Sequence, residues 1–379
     1  MEGSSIDFLQ LLNSDLSFKI LSNLDDPADV VRVASVSHTW RQFVIASGFS
    51  KSLCLRLFPE TSSAIKAIEE NNVIESLGFN TTGSVDVEKL KKNHRVYAFL
   101  ASGLAPSLTT DCIVEAISAS STDHFPEENI RHNLEPREIV DGMLSYWSSM
   151  GESNPEMHET LTFKLVSKLC FITEINIQPS QGYFHEPLVP KFDSILWFLI
   201  YSDDSYILFY PDHFEDDFPI YSARAVRFRM GHVREPQQER FLLGDYKAGR
   251  RSIEDHVVWT YTSEKFSMVQ ENRLKKFKLP EPVLAIGGLL QIELFGGVQL
   301  AWDDLYYLCV SYVQVVGRPL TNEFVADLIN NSGKCVLNYK RKGAIGNDSD
   351  ASEDDLAVLG FSCVFTDLVL SHNMSEYHF

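Results

Sequence analysis

Between Pro211 and Phe218 the chain reads PDHFEDDF, which sets His213 among the carboxylates of Asp212, Asp216 and Asp217. These are ligand types for a divalent cation. A metal site also needs convergent geometry, and acids on neighbouring positions of one short run do not show it. The run therefore reads as a solvated acidic turn, and no metal or other cofactor is expected. In VRFRM, Arg227 and Arg229 share one strand face, with Arg224 nearby. Two guanidinium groups so placed suit a carboxylate, a phosphate or a sugar-linked anion. Ordinary strand alternation makes the same face simply the solvated one. No GxxxxGK loop, GxSxG elbow or HExxH helix occurs, and Gly287-Gly288 and Gly296-Gly297 read as turn glycines. The expectation is a chain that binds and does not catalyse.

Composition narrows what it binds. Lys and Arg number 33 against 52 Asp and Glu, a formal charge of −19 over 379 residues. That balance argues against broad contact with nucleic acid or an anionic membrane. The longest apolar run, ILWFLIY, falls far short of the roughly 20 residues a membrane helix needs. The start, MEGSSIDFLQLLNSD, has no basic segment ahead of an apolar one, so it is no secretory signal. Cys54, Cys112, Cys170, Cys309, Cys335 and Cys363 form no CxxC pair, and most sit in apolar runs. They read as reduced, buried thiols of a cytoplasmic or nuclear protein.

The elements that must position any binding groups change character along the chain. Leu12, Leu16, Ile20, Leu21 and Leu24 recur at helical spacing, with Asn13 or Ser14 as cap and Asp15 near the positive end. Asp25-Asp26-Pro27 stops this helix and starts the next, with Asp26 as N-cap, Pro27 in the first helical position and Asp29 three after the cap. A second apolar stripe runs from Val30 through Val33, Val36 and Trp40 to Phe43. So short a helical segment is marginal on its own, so the stripe is expected to pack partly on itself and partly on something external.

The order Leu12, Asp15, Ile20-Leu21, Leu24, Val30, Val33, Val36, Ser37, Trp40, Arg41 resembles an F-box. Asn13 stands where a Pro is usual, Ser17 where a Leu is usual, and Ser37-His38 replace a Cys-Arg pair. The resemblance covers about the first fifty residues. It implies docking on a Skp-type adaptor, and through it a cullin, within a ubiquitin ligase. Leu12, Leu16, Ile20, Leu21, Leu24, Val33, Val36 and Trp40 would form or support the adaptor-facing surface. Fully burying each aliphatic side chain is worth roughly 1.5–3 kcal/mol, so a handful suffices for an interface. SLCLRLFPE and VEKLKKNHRVYAFLAS then read as connecting helices, the latter with Leu90, Tyr97 and Leu100 on neighbouring turns.

Beyond about residue 107 the period becomes two. In LCFITEINIQP, Leu169, Phe171, Ile175 and Ile177 are expected on one face and Glu174, Asn176 and Gln178 on the other. Val226, Phe228 and Met230 oppose Arg227 and Arg229, while Leu290, Ile292 and Leu294 oppose Gln291 and Glu293. Strands between turn signals, without long helices, predict an antiparallel sandwich. With Tyr146-Trp147-Ser148-Ser149, Leu161 to Leu165, Leu169 to Pro179 and Tyr306 to Val316 running into Gly317-Arg318-Pro319-Leu320, this half resembles the galactose-binding-like, discoidin-type jelly roll.

The expected fold class is thus α+β multidomain: an N-terminal helical F-box and helical linker followed by an antiparallel β-sandwich (jelly roll). The expected boundaries are 8–50 for the F-box, 51–107 for the connecting helices, 108–341 for the sandwich and 342–379 for an acidic loop and last segment. Ser352 precedes Glu353-Asp354-Asp355, which suits an acid-directed kinase, although a solvated loop is the plainer reading. The expected role is substrate recruitment: the helices hold the adaptor, and the sandwich holds a protein or glycoprotein target. Tyr183, Phe184 and His185, with Arg227 and Arg229, are the candidate target contacts. The rival expectation is a lectin-like ligand-binding protein with a structural helical cap.

Overall fold

The computed structural model describes residues 7–63, 84–104, 110–136, 139–140, 143–181, 219–234, 256–301, 303–328 and 335–339. Tyr183, Phe184, His185, the acidic run at 212–217 and the segment 342–379 lie outside the described residues. The described residues fall into two compact units. Residues 7–57 and 84–102 make the first; 58–63 and those from 103 to 339 make the second. Residues 51–107, expected as one connecting region, are therefore divided between the two. Phe58 and Glu60 belong with the strands because Arg318 lies 5.3 Å over the Phe58 ring and pairs with Glu60.

The first unit is helical: α1 (Phe8–Leu11), α2 (Ser14–Leu21), α3 (Pro27–Ser35), α4 (His38–Ala46), α5 (Phe49–Leu57) and, up to Ser102, α6 (Ser84–Leu104). The expected caps form. Asn13 accepts from the Leu16 amide at 2.9 Å, and Asp26 from the Ala28 amide at 2.8 Å with Pro27 opening α3. The stripe expected from Val30 to Phe43 spans two helices, α3 and α4. Ser37 takes an extended backbone and caps a separate α4 by accepting from the Trp40 amide at 3.2 Å. A core forms from Leu21, Val30, Val44, Phe49 and Leu53.

The second unit opens with the strands β1 (Thr110–Asp111), β2 (Ile113–Ala119), β3 (Ile139–Val140), β4 (Met143–Leu144), β5 (Trp147–Ser148), β6 (His158–Leu165) and β7 (Leu169–Pro179). It continues with β8 (Ala223–Val233), β9 (Val257–Thr262), β10 (Phe266–Ser267), β11 (Lys275–Ile286), β12 (Leu289–Gly297) and β13 (Cys309–Pro319). A ribbon of β14 (Phe324–Leu328) and β15 (Cys335–Tyr339) follows. One sheet has the order β1-β13-β7-β11, with β5 also on β13; the other has β10-β8-β12-β6-β2, with β9 also on β8. All pairings are antiparallel, and a core drawn from both sheets lies between them, so the expected sandwich is what the chain forms.

Alternation places Val226, Phe228, Met230, Leu290, Ile292 and Leu294 in that core. The reading of β7 needs a correction. Cys170 and Ile172, not Leu169 and Phe171, join Ile175 and Ile177 in the core. The register against both neighbouring strands shifts between Ile172 and Glu174, and a bulge of this kind moves the following side chains to the opposite face. The five described cysteines are buried thiols. Among the described residues no helix is long and apolar enough to cross a membrane.

Candidate functional site

The helical unit divides the eight expected adaptor contacts by exposure. Leu21 is in the core, and Leu24, Val33 and Trp40 pack against it. Trp40 is fixed further by its indole Nε1, which donates to the Asp7 carboxylate at 2.9 and 3.0 Å. Arg56 donates to the Ser22 and Leu24 carbonyls and closes the turn after α2. Leu12 is half-buried. Leu16 is 49% exposed and Ile20 48%, one helical turn apart on α2. Val36, at the end of α3, is 61% exposed. Leu11, which the sequence pattern did not single out, is 69% exposed. The stripe thus separates into side chains that build the small core and side chains that stand outside it. Spacing alone could not make that separation, because both sets share one period.

Of the expected target contacts, the two described ones, Arg227 and Arg229, lie on the outer face of the second sheet. Arg227 stands opposite Glu293 and Arg229 opposite Gln291. The Arg227 guanidinium grips Glu293 with two nitrogens, Nη2 at 3.0 Å from Oε1 and Nε on the other oxygen. Hydrogen bonding to that carboxylate raises the Arg227 pKa above its usual value. Arg229 donates to Gln291 at 3.1 Å, stands 3.8 Å from Glu293 and has its guanidinium carbon 4.4 Å over the Trp259 ring. Phe295 stacks on His158 with centroids 4.6 Å apart and carries the Lys265 ammonium 3.7 Å from its ring centre. Glu293 is only 2% exposed. This face is therefore neither a bare solvated surface nor an open anion cradle. Its guanidinium groups are clamped on an internal carboxylate, and their flat faces cover aromatic rings.

At the loops after β2, around β5 and before β13, three carboxylates meet two tyrosines. The Tyr146 hydroxyl donates to Glu128 at 2.7 Å and the Tyr307 hydroxyl to Asp303 at 2.7 Å. Burial first, then these carboxylates, pushes both phenols well above their ordinary range, so each remains a donor at neutral pH. Asp123, His124 and Glu128 offer donor atoms within 4.8 Å of one another, the ligand types a divalent cation takes. His124 Nδ1 already meets Asp123 at 3.0 Å, so these donors also have partners in one another. Sequence reading missed this cluster because its members are up to 184 positions apart, from Asp123 to Tyr307.

No family model matches the chain. Solved structures similar to it match at low identity and low TM-score. A family 32 carbohydrate-binding module from C. perfringens NanJ in complex with galactose is 10% identical, with TM-score 0.28, covering 53% of this chain and 98% of that one. A fucolectin from striped bass serum is 11% identical, with TM-score 0.32, covering 59% and 52%. In sequence, an F-box protein of Arabidopsis thaliana is 42% identical over 342 residues, which span 88% of this chain and 83% of that relative. At that identity and coverage, the chain belongs to the F-box proteins.

Proposed function

We propose that this protein is the substrate-recruiting subunit of a Skp–cullin–F-box ubiquitin ligase. The helical unit docks a Skp-type adaptor, the β-sandwich holds the target, and other subunits carry out ubiquitin transfer. The observation that carries the reading is the outward apolar face of α2. Leu16 and Ile20 are each about half exposed, although Leu21 and Leu24 beside them fill a core. A helix that presents one apolar row inward and another outward has surface to give to a partner. Membership of the F-box proteins names the kind of partner. Leu12, Leu16, Ile20 and Val36 would meet the adaptor, and Leu21, Leu24, Val33 and Trp40 would support them from behind. The setting is the cytoplasm or nucleus, and the charge of −19 disfavours nucleic acid as the target.

The test is a pull-down of the Skp-type adaptor with Leu16→Asp, run beside circular dichroism. Lost capture with an unchanged spectrum supports the reading; unchanged capture sinks it. For the target arm, affinity purification with proteasome activity blocked is compared between the full chain and a Tyr183→Ala/Phe184→Ala/His185→Ala variant. Reduced target capture with intact adaptor binding is the expected outcome.

A further inference from the structure

Three stretches of the sandwich sequence, 120–129 after β2, 149–157 after β5 and 298–308 before β13, contain acidic residues and no Lys or Arg. The fold ties them together at one end. The Asp123 amide donates to the Ser148 carbonyl at 3.1 Å, the Met150 amide to the Ser121 hydroxyl at 3.0 Å and the Ser149 amide to the Leu308 carbonyl at 2.9 Å. Glu152 and Tyr306 exchange amide-to-carbonyl bonds at 3.0 and 2.8 Å. A Cβ on Gly151 would stand 2.6 Å from the Tyr307 ring, so the second loop lies directly on the third.

Apolar side chains stand out from these joined loops. Phe125 is 73% exposed and Met150 56%, and Val298 and Leu300 are exposed as well. Of the large apolar side chains exposed in the described sandwich, only Val114 and Val166 lie elsewhere. Single exposed apolar residues are ordinary, but several gathered on connected loops with a polar rim mark a surface that a partner covers.

Charge decides the kind of partner. Asp123, Glu127, Glu128, Glu152, Asp303 and Asp304 lie on the three loops. A further acid, Glu156, is paired with Arg224 at 2.6 Å. Among the described residues those six have no Lys or Arg partner; His124 alone stands by, 3.0 Å from Asp123 and 3.7 Å from Glu128. Burial first, and then the Glu128 and Asp123 charges, raise the Tyr146 phenol; burial first, and then Asp303, Asp123 and Glu128, raise that of Tyr307. The field at this end is therefore negative. A second copy of the chain would bring like charges face to face, which opposes association, whereas a cationic partner gains both affinity and rate of encounter.

We propose that this end of the sandwich docks a basic stretch of the protein target, in which aliphatic or aromatic side chains alternate with Lys or Arg. The apolar groups cover Phe125 and Met150, and the cations meet Glu127, Glu152 and Asp304 around them. The inference rests on the reading of the sandwich as the arm that holds the target.

The probe is a fluorescent peptide, Arg-Leu-Arg-Phe-Arg-Leu-Arg, titrated with the full chain and followed by anisotropy. Its controls are Arg-Ser-Arg-Ser-Arg-Ser-Arg, which lacks the apolar groups, and Glu-Leu-Glu-Phe-Glu-Leu-Glu, which reverses the charge. The probe should bind tighter than either control by roughly tenfold or more. Glu127→Gln/Glu152→Gln/Asp304→Asn should weaken it about tenfold. Glu264→Gln/Glu271→Gln/Glu281→Gln, which neutralises as many carboxylates elsewhere on the sandwich, should weaken it less than about twofold. Phe125→Ser/Met150→Ser should bring the probe down to the level of the Arg-Ser peptide. An equal loss in the two acid-neutralised variants means a diffuse attraction to a chain of charge −19 and overturns the proposal. So does a probe that binds no tighter than the Arg-Ser peptide. If Phe125→Ser/Met150→Ser does not fold, the comparison of the peptides on the unaltered chain decides that arm. Leu16→Asp should leave probe binding unchanged. Full probe binding in the loop variants, with the adaptor lost in Leu16→Asp, sinks this proposal and leaves the recruiting role standing. Probe binding lost in the loop variants, with the adaptor kept in Leu16→Asp, upholds the docking surface and sinks the recruiting role.

Discussion

The two units bury side chains to very different depths. In the helical unit a small core leaves Leu11, Leu16, Ile20 and Val36 each about half exposed or more. In the sandwich two facing sheets share a core, and even the outward polar row is covered, with Gln291 at 0% and Glu293 at 2% exposure. Short helices have curved surfaces and few neighbours, so part of each apolar stripe finds no partner within the unit. A sheet that packs on another sheet gives every inward side chain an opposing layer. Its outward face can then be roofed by long cationic side chains lying on aromatic rings. The first unit therefore leaves apolar side chains uncovered, and the second covers even its outward polar row.

The comparison is tested most severely in the sandwich core. Phe228 is fully buried against Phe266 and Phe277. Phe228→Ala should cost about 3–5 kcal/mol, measured by denaturant unfolding followed on the β signal. Trp40→Ala should cost less, because Trp40 is only partly buried. A larger loss at Trp40 than at Phe228 would reverse the proposed ranking of the two cores.

Acid should separate the units. His94 is hydrogen-bonded to Ser50 at 2.9 Å, and burial, with Arg95 second, lowers its pKa from 6.5 to about 4. The unfolded chain therefore takes up this proton first. The stability involved is complete above pH 6.5 and is lost as pH falls towards 4. Across the whole window the loss is about 3 kcal/mol. In the sandwich, burial raises the carboxyls of Asp111 and Glu159. The sign there is opposite, since acidification relieves the cost of keeping them ionised. Residue-resolved NMR during an acid titration should show helical signals weakening before strand signals; simultaneous loss would remove the distinction.

A smaller effect is expected on the outer face of the second sheet. Glu293→Ala leaves the Arg227 guanidinium without its carboxylate and should cost about 1–3 kcal/mol, read from a shift in the unfolding midpoint. Leu16→Asp should change stability by no more than about 0.5 kcal/mol, because the side chain is already half in water. Its consequence belongs to adaptor capture alone. A large loss of stability in Leu16→Asp would mean that α2 spends its outer face on its own unit.

Local chemistry made much of the fold legible. Asn13, Asp26 and Pro27 cap within three residues of themselves, so their roles could be read in a short window. Val226, Phe228 and Met230 face inward because strand period is fixed by backbone geometry. The F-box spacing was legible for the same reason. The inversion along β7 was not. It depends on shifts in register against β11 and β13, strands more than a hundred residues further along the chain.

The sequence by itself determined the helical start, the change to period two, the inward rows of β8 and β12 and the acidic balance. Each follows from residues near one another in the chain or from a simple sum. Tertiary structure alone decided which stripe residues stay outside, that Glu293 occupies the paired arginines, and that Gly287 packs directly against His232. Trp40 with Asp7 and Ser50 with His94 are likewise joined across 33 and 44 positions. Those outcomes depend on which surfaces meet when the chain closes on itself, and that is set by the packing of whole elements, which no local period encodes.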